Sequence, residues 1–284
     1  MIKSIRMKYI QQFYVKGLWG RLNVSWDSLN EDVNILVGIN GSGKTTLLNL
    51  IYDFYNGIKP KKGIAEVING NEVDIPIDII RSFDIPSKTK KKSESNLLCD
   101  LNKVIMQNSE GTSFFDYRMQ MLNYPEKQER IQQRIDKFFE LINSLFKETD
   151  KYIDIDKFNN KLVFKIKGTA SRLMTNDGYY LTTNDGSYLT TGDDRIQLEQ
   201  LSSGEKQLLL ILTMVFLQDE RPTILLMDEP EISLHISWQS KLIDTIRSLN
   251  PNCQLILTTH SPSIFAKGWQ DRIIYMEDLI QKGE

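Results

Sequence analysis

Short apolar runs alternate along this chain with stretches in which apolar residues recur at helical spacing. The runs at 33–37, 223–228 and 254–259 are largely apolar, so each predicts a buried strand. Residues 46–55 have apolar side chains at helical spacing and are followed by an Asn-Gly pair suited to a C-cap, which predicts a helix. The ten residues 208–217 predict a buried helix that is too short to cross a bilayer. Strands and helices that alternate in this way predict an α/β fold.

The N-terminal part of the chain has the pattern of an antiparallel β layer. Residues 2–10 and 21–26 predict two strands joined by a link at 11–20. Further on, 64–68 and 73–80 predict two more strands, and the proline in the second argues for an edge position. Aromatic rings in such a link usually belong to a core, and a ring stacked on a nucleobase is the alternative. The link carries Phe13, Tyr14, Leu18 and Trp19.

Residues 81–195 differ in character and predict a helical and β-hairpin subdomain inserted into the α/β core. The basic run at 88–92 predicts either a solvated loop or a patch that contacts the phosphates of DNA or RNA. The predicted helices are 97–106, 114–122 and 125–146, the predicted strands are 152–155 and 162–166, and two threonine-rich repeats lie at 180–186 and 188–193. We therefore expect a core formed by 1–80 and 196–284, interrupted by the insertion at 81–195.

The composition of the chain is that of an ordinary globular protein. Hydrophobic residues make up 40% of the chain and charged residues 25%. The net charge of −2 provides no overall field that would recruit nucleic acid or an anionic membrane. The cysteines Cys99 and Cys253 are far apart and lack a C-x-x-C partner, which argues against a zinc site and for a reducing compartment. We expect a cytoplasmic protein with no membrane partner.

Residues 38–46 form a complete phosphate-binding loop of the pattern G-x-x-x-x-G-K-[ST]. The glycines let backbone N–H groups face a phosphate, and the helix that follows adds the partial positive charge of its N-terminus. Lys44 can reach the β- and γ-phosphates of ATP, and the Thr45 hydroxyl can ligate Mg²⁺. The predicted nucleotide-binding residues of the loop are Asn40, Gly41, Ser42, Gly43, Lys44, Thr45 and Thr46.

A second motif, Leu-Ser-Ser-Gly-Glu-Lys-Gln, occupies residues 201–207 and begins the predicted helix at 208–217. Ser202 and Glu205 have the spacing of a capping box, in which each side chain bonds the backbone N–H of the other residue. As a helix cap alone, this stretch would be unremarkable. Its position ahead of two further motifs gives it a functional interpretation.

Two of the predicted buried strands end in residues that suit phosphate chemistry. The strand 223–228 ends in Asp228, which fits the role of a Mg²⁺ ligand through its water shell. Glu229 follows it and fits the role of general base for the attacking water. The strand 254–259 is followed by His260, which can bond the γ-phosphate or that water. The predicted catalytic residues are Lys44, Glu229 and His260, and the predicted metal ligands are Thr45 and Asp228.

These four motifs, in this order, resemble those of the ABC-type ATPases. The family signature Leu-Ser-Gly-Gly-Gln is matched here by Leu-Ser-Ser-Gly-Glu at 201–205. The resemblance implies an ABC ATPase head that forms a head-to-tail dimer with two ATP molecules between its subunits, and hydrolysis at Glu229 would dissolve that dimer. The residues implied to contact the ATP held by the opposite chain are Ser202, Ser203 and Gly204. The chain departs from the family in having Ser203 at the first signature glycine, and Gln107 is a poor match to the Q-loop glutamine.

Two stretches are similar to the OLD-family and related AAA ATPases of bacterial anti-phage defence, such as the ATPase subunits of Septu, retron and PARIS modules. They are Asp-Glu-Pro-Glu-Ile-Ser-Leu-His at 228–235 and Thr-Thr-His-Ser-Pro at 258–262. The resemblance implies an ATPase that regulates a separate effector, either a nuclease or a toxin. Since 24 residues follow His260 in the 284-residue chain, we expect no nuclease domain of its own.

Three other functions remain open at this point. The head of a DNA-repair or chromosome ATPase predicts a long coiled coil or a strongly basic face, and neither is evident in the sequence. A transporter subunit predicts an aspartate-ended loop where this chain has His235. A nucleotide-dependent scaffold with little turnover would use the same residues as a hydrolase. Nucleic acid remains a further candidate partner.

Overall fold

The structure is a computed structural model that describes residues 8–81, 96–106, 113–156, 161–167, 171–172, 175, 177, 179, 181–182, 190–191 and 194–281. Contacts divide the chain into two compact units, residues 1–91 with 214–284 and residues 92–213. The division into an ATPase core and an insertion at 81–195 stays a prediction. Several sequence predictions lie wholly or largely outside the described residues: the strand at 2–10, the basic run at 88–92, Gln107, and the threonine-rich repeats at 180–186 and 188–193.

The described elements are as follows. The strands are β1 (Phe13–Leu18), β2 (Leu22–Trp26), β3 (Val33–Val37), β4 (Val67–Gly70), β5 (Ile77–Ile80), β6 (Lys151–Ile155), β7 (Leu162–Ile166), β8 (Ser171–Arg172), β9 (Thr190–Thr191), β10 (Arg195–Ile196), β11 (Thr223–Asp228), β12 (Cys253–Thr259), β13 (Ile273–Tyr275) and β14 (Ile280–Gln281). The helices are α1 (Lys44–Tyr55), α2 (Asn96–Ile105), α3 (Phe114–Asn123), α4 (Gln128–Phe146), α5 (Ser203–Leu217), α6 (Ile236–Gln239), α7 (Leu242–Leu249) and α8 (Met276–Leu279). Single 3-10 turns occupy Pro125–Lys127, Lys147–Thr149, Leu198–Gln200, Pro262–Ile264 and Gln270–Arg272.

The N-terminal layer is a four-stranded antiparallel sheet in the order β14-β2-β1-β4. Its first strand lies in the stretch predicted as a link, and the described residues 8–10 of the predicted strand at 2–10 are not extended in a sheet. The prediction of a link over 11–20 was wrong in that residues 13–18 form a strand. In the structure a bulge between Val15 and Leu18 absorbs Gly17, whose φ is 68°. The strand expected at 64–68 begins later, at Val67.

The central sheet of the first unit has five parallel strands in the order β13-β3-β12-β11-β5. The predicted strands at 33–37, 223–228 and 254–259 are confirmed, and β5 lies at the edge, as its preceding Pro76 indicated. Because parallel strands end at the same edge, the loops that follow β3, β11 and β12 meet there. The motifs with Lys44, Asp228 and His260 are brought together in this way.

Helix α1 packs between the parallel sheet and the antiparallel layer. Leu47, Leu50 and Ile51 are no more than 2% exposed and share one hydrophobic cluster with residues of both sheets. Burial of each such side chain contributes about 1.5–3 kcal/mol to folding. The helix that carries the phosphate-binding loop is therefore firmly anchored at its base.

The second unit contains helices α2 to α4 and a three-stranded antiparallel sheet in the order β10-β7-β6. The predicted helices and the predicted pair of strands are confirmed, although the helix expected from residue 125 starts with a 3-10 turn. The inward face of α4 is apolar at helical spacing. Across the described residues, no helix combines the length and the apolar character needed to span a membrane.

Candidate functional site

The phosphate-binding loop connects β3 to α1 with two glycines in left-handed conformations. Gly41 has a φ of 79°, and Gly43, at the N-cap of α1, has a φ of 106°. Residues that carry a side chain rarely adopt such values. A Cβ on Gly43 would lie 3.0 Å from the ring of Trp19, whereas no atom lies within 4 Å of one on Gly41. The loop thus leaves open space next to Gly41 and contacts an aromatic ring at Gly43.

Lys44 is 4% exposed and points back under the loop. Its ammonium group donates to the carbonyl oxygens of Gly38 at 2.9 Å and Ile39 at 3.1 Å. It also lies 2.8 Å from Nε2 of His260, and the imidazole must accept this hydrogen bond because an ammonium has no lone pair. Burial lowers the pKa of Lys44, and the nearby carboxylates, led by Glu229, partly oppose this shift.

The predicted metal ligands lie side by side. The Thr45 hydroxyl donates to Oδ1 of Asp228 at 2.9 Å, and the Thr258 hydroxyl donates to the same oxygen at 2.7 Å. Asp228 is 7% exposed, and these two hydrogen bonds hold its carboxylate at the end of β11. A hydroxyl and a carboxylate oxygen in contact are the hard oxygen ligands that Mg²⁺ prefers.

Glu229 and His260 face one another at the edge of the sheet. Oε1 of Glu229 lies 3.3 Å from Nε2 of His260, and both side chains are partly exposed. The backbone of Glu229 has a φ of 47°, which is uncommon for a residue with a side chain. Its N–H donates to both the carbonyl and the hydroxyl oxygen of Thr258, each at 3.1 Å. These bonds hold the residue in its left-handed conformation.

A cavity of about 140 Å³ lies at the loop and is lined by part of the predicted site, while Ser42, Asp228 and His260 are not among its lining residues. Its lining comprises Trp19, Asn40, Gly41, Gly43, Lys44, Thr45, Thr46 and Glu229. Of the rings in the predicted link, Trp19 lies at this cavity. Phe13 is instead 1% exposed and packs in the core against Phe54 and Tyr55.

The signature motif lies in the second unit, at the start of α5. Ser202 and Ser203 are exposed, and Gly204 is buried. The predicted capping box is confirmed: the Ser202 N–H donates to Oε2 of Glu205 at 2.7 Å, and the Glu205 N–H donates to the Ser202 hydroxyl at 3.2 Å. The cap leaves the hydroxyl of Ser202 at the protein surface.

The sequence did not reveal what holds Glu205, whose side chain is 0% exposed. Lys151 donates to both of its carboxylate oxygens at 2.8 and 2.9 Å, and the Thr149 hydroxyl donates to one of them at 2.8 Å. Burial alone would raise the pKa of Glu205, but the hydrogen bonds from Lys151, the Ser202 N–H and Thr149 outweigh it and lower that pKa. The start of β6 is thereby joined to the signature motif.

Two further residues near the site have contacts that the sequence did not predict. Glu231 accepts hydrogen bonds from the residues around His260, and an acid in a loop has no periodic signal that would reveal this. His235 is exposed, caps α6 by accepting from the Ser237 N–H at 3.4 Å, and lies edge-on to Trp238. Its role in the structure is that of a helix cap.

Residues 101–266 match the profile of the family described as "AAA domain, putative AbiEii toxin, Type IV TA system" (AAA_21). This match covers more than half of the chain. The chain belongs to the AAA_21 family.

Curated relatives of this AAA_21 protein come from defence systems. It is 23% identical to "Septu protein PtuA" of Bacillus thuringiensis, over 90% of this chain and 72% of that protein. It is 32% identical to "Retron Vc95 probable ATPase" of Vibrio cholerae serotype O1 biovar El Tor, over 30% of this chain and 18% of that protein. The chain thus spans under a fifth of the retron protein. The resemblance to Septu and retron ATPases stated from the sequence is confirmed.

A solved structure has the same fold. The SmcHead in the crystal structure titled "SmcHead bound to the C-winged helix domain of ScpA" matches with a TM-score of 0.50 and 15% identity, over 91% of this chain and 92% of that one. At this identity the likeness shows the fold alone. The predicted α/β fold of an ABC ATPase head, with an N-terminal antiparallel β layer, is confirmed.

Proposed function

We propose that this AAA_21 protein binds and hydrolyses ATP, dimerises around it, and thereby controls a separate effector protein in phage defence. The observation that carries the proposal is that the predicted residues at the ends of β3, β11 and β12 contact one another. His260 lies 2.8 Å from the Lys44 ammonium and 3.3 Å from the Glu229 carboxylate. Asp228 accepts from Thr45 at 2.9 Å and from Thr258 at 2.7 Å, and the Thr258 hydroxyl also accepts from the Glu229 N–H at 3.1 Å. A purely structural loop requires no such arrangement.

The residues of the loop suit a triphosphate and a divalent cation. The backbone at Gly41 leaves room for phosphate oxygens, and the buried Ser42 hydroxyl has no hydrogen-bond partner among the described residues. Thr45 and Asp228 would hold Mg²⁺. When bound, this ion neutralises charge that develops on the β- and γ-phosphates. The Lys44 ammonium would bind the same phosphates as a buried positive charge.

Glu229 is the proposed general base, and His260 the proposed contact to the γ-phosphate or to the attacking water. A base within hydrogen-bond reach of a water accepts its proton as the water attacks phosphorus. Glu229 lines the cavity and is held in place through its backbone, so its carboxylate is available for this task. His260 lies between Lys44 and Glu229, where it would contact both the phosphate and the base.

Trp19 is the proposed platform for the adenine base. It lines the cavity and approaches Gly43 closely. Aromatic rings bind nucleobases by stacking and tolerate any base because each has a π-face. The strand β1 ends just before this residue, which gives the ring a fixed support.

The signature motif supports the proposal of a head-to-tail dimer. Ser202 and Ser203 are exposed at the N-terminus of α5, where N–H groups and a hydroxyl can bind the γ-phosphate of ATP held by a second copy. Gly204 would allow close approach of the backbone. Because the γ-phosphate completes the contacts between copies, association would follow ATP binding and dissociation would follow hydrolysis.

The likeness to a Septu protein and to retron ATPases supports a role in defence, and the separate effector, a nuclease or a toxin, is part of the proposal. ATP-dependent dimerisation offers such an effector two different surfaces, one before and one after hydrolysis. Co-purification of the chain with the products of neighbouring genes, with and without ATP, would identify it.

The proposal is tested with purified protein, Mg²⁺-ATP and the variant Glu229→Gln. The parental protein is expected to release phosphate, and removal of Mg²⁺ by EDTA is expected to stop the release. Glu229→Gln should bind ATP but turn it over at least about 100-fold more slowly, because general-base catalysis contributes about 10²–10⁴-fold. It should also accumulate as a dimer in ATP, seen by light scattering. Equal turnover of the two proteins would contradict the assignment of Glu229.

A DNA-repair or chromosome function is an alternative outcome of the same assay. The likeness to the SmcHead concerns the fold, so addition of double-stranded DNA is the discriminating measurement. Strong stimulation of ATP turnover by DNA, in the absence of any effector, would favour that alternative.

A further inference from the structure

The carboxylate of Glu231 joins the two loops that carry Glu229 and His260. Its Oε1 accepts hydrogen bonds from the Thr259 hydroxyl at 2.6 Å, the His260 N–H at 2.8 Å and the Ser261 N–H at 3.3 Å. Three donors from consecutive residues thus converge on one oxygen just beyond the end of β12. The other carboxylate oxygen, Oε2, is buried and has no partner among the described residues.

The ring of His260 is only partly covered by its neighbours, so its position also depends on the backbone that carries it. Its side chain is 36% exposed, and β12 ends one residue earlier, at Thr259. The ring nitrogen nevertheless has to stay within reach of both Lys44 and Glu229. The hydrogen bond from the His260 N–H to Glu231 is the contact that fixes the backbone from which this ring extends.

Glu231 itself belongs to the turn that carries Glu229. The Ile232 N–H donates to the carbonyl of Glu229 at 3.2 Å, and the Leu234 N–H donates to the carbonyl of Glu231 at 2.9 Å. Gln239 supports the same turn, since its Nε2 donates to the carbonyl of Leu234 at 2.9 Å. A displacement of Glu231 would therefore alter the distance between the base and the histidine.

We propose that Glu231 is a positioning residue that sets the place of His260 relative to Glu229 and Lys44. It does not line the cavity, and it acts through the backbone of His260. This inference rests on the proposed function, in which His260 contacts the reacting phosphate or water. Misplacement of a catalytic group by about 1 Å can cost about 100-fold in rate, so loss of the anchor should lower turnover without lowering ATP binding.

The kinetic test is a double-mutant cycle in Mg²⁺-ATP hydrolysis. Glu231→Ala is expected to lower kcat by about 10–100-fold and to leave the Kd for ATP within about 3-fold of the parental value. In the His260→Ala background the same change should cost less than about 2-fold, because residues that act as a unit are not additive. Glu231→Gln keeps an acceptor oxygen and should retain most of the activity. An equal loss in both backgrounds would overturn the proposal.

The second readout does not require turnover. The chain has two histidines, so the imidazole NMR signals of His235 and His260 can be assigned by substituting each in turn. Glu231→Ala should shift and broaden the signal of His260 and leave that of His235 unchanged. If the parental protein hydrolyses no ATP, the proposed function fails, but this spectrum still tests the anchor. An unchanged His260 signal would overturn the proposal.

Gln239→Ala is the matched control. Gln239 accepts from the Ser261 hydroxyl at 2.7 Å and supports the same loops, but it has no bond to the backbone of His260. The variant Gln239→Ala is expected to lower kcat less than Glu231→Ala does and to leave the NMR signal of His260 unchanged. Equal effects of the two substitutions on both readouts would mean that the loops are merely destabilised, and the positioning role would be refuted.

Discussion

Substitution of Lys151 by methionine tests how the signature motif is held. The change removes the ammonium and keeps the aliphatic stem, so it leaves Glu205 as a buried carboxylate without its cation. The Lys151 side chain is 19% exposed and that of Glu205 is 0% exposed. Removal of one partner of a buried pair costs about 3–5 kcal/mol. Because Thr149 and the Ser202 N–H still donate to Glu205, we expect a loss near the lower end of this range.

The assay is urea unfolding followed by far-UV circular dichroism. Tryptophan fluorescence is unsuitable because the four tryptophans, at positions 19, 26, 238 and 269, lie outside the unit 92–213 that contains Lys151. Hydrogen exchange of the amides of β6 and α5 would localise the effect. Because the cap of α5 carries Ser202, the variant should also form less dimer in ATP than the parental protein at equal occupancy by ATP.

Lys165→Met is the matched control. Lys165 and Asp154 pair at 2.8 Å in the same hairpin, but Asp154 is 47% exposed. An exposed pair contributes about 0–1 kcal/mol, so the control should lose little stability. The double substitution Lys151→Met with Glu205→Gln should recover most of the loss, since it leaves no buried charge. Equal losses for Lys151→Met and Lys165→Met would refute the reasoning.

Three further predictions concern the nucleotide site and the pH dependence of stability. Lys44→Ala removes a charge-assisted contact of about 1.5–3 kcal/mol and should raise the Kd for ATP about 10–100-fold in a fluorescent-nucleotide titration; an unchanged Kd would contradict the role of the lysine. Trp19→Ala should raise the same Kd by about 5–100-fold, from a stacking contribution of about 1–3 kcal/mol, and Trp19→Phe should restore most of the affinity; an alanine variant with parental affinity would exclude stacking. The folded-state pKa of Glu205 is lowered, so its contribution to stability is present above the ordinary carboxyl pKa and is lost as pH falls through the lower folded value. Urea unfolding between pH 7 and pH 3 should show this loss of stability, and Glu205→Gln should reduce the pH dependence. Identical pH profiles for the parental protein and Glu205→Gln would contradict this role of Glu205.

The sequence predicted the members of the site because each follows an apolar strand. Parallel strands end at one edge of a sheet, so Asp228 and His260 had to meet the loop that carries Lys44. The capping box at Ser202 and Glu205 was equally predictable, since it depends on a spacing of three residues. These predictions required short-range patterns and one topological rule.

Other features depend on contacts between residues that are far apart in the chain. The pairing of Lys151 with Glu205 joins a strand to a helix cap, and no local sequence pattern predicts this pairing. In the sequence, Glu231 has the pattern of a surface acid in a turn. Its hydrogen bond from the His260 N–H is evident only once β12 lies next to β11. The strand β1 lies where a link was predicted at 11–20, and its pairing with β2 and β4 is what shows that Gly17 is part of a bulge.

The contacts of Lys44 have a consequence for how the site responds to a ligand. An ammonium has three N–H bonds, and here they are directed to two loop carbonyls and to His260. A phosphate that recruits this lysine therefore enters by exchange: each new bond replaces an existing one, and the net gain is smaller than the new bonds alone would suggest. A single phosphate group has three acceptor oxygens, so it could replace all three of these contacts and the exchange alone does not select a triphosphate. If the proposed nucleotide took the bond that Nε2 of His260 now accepts, the imidazole would become free to contact the phosphate or the attacking water.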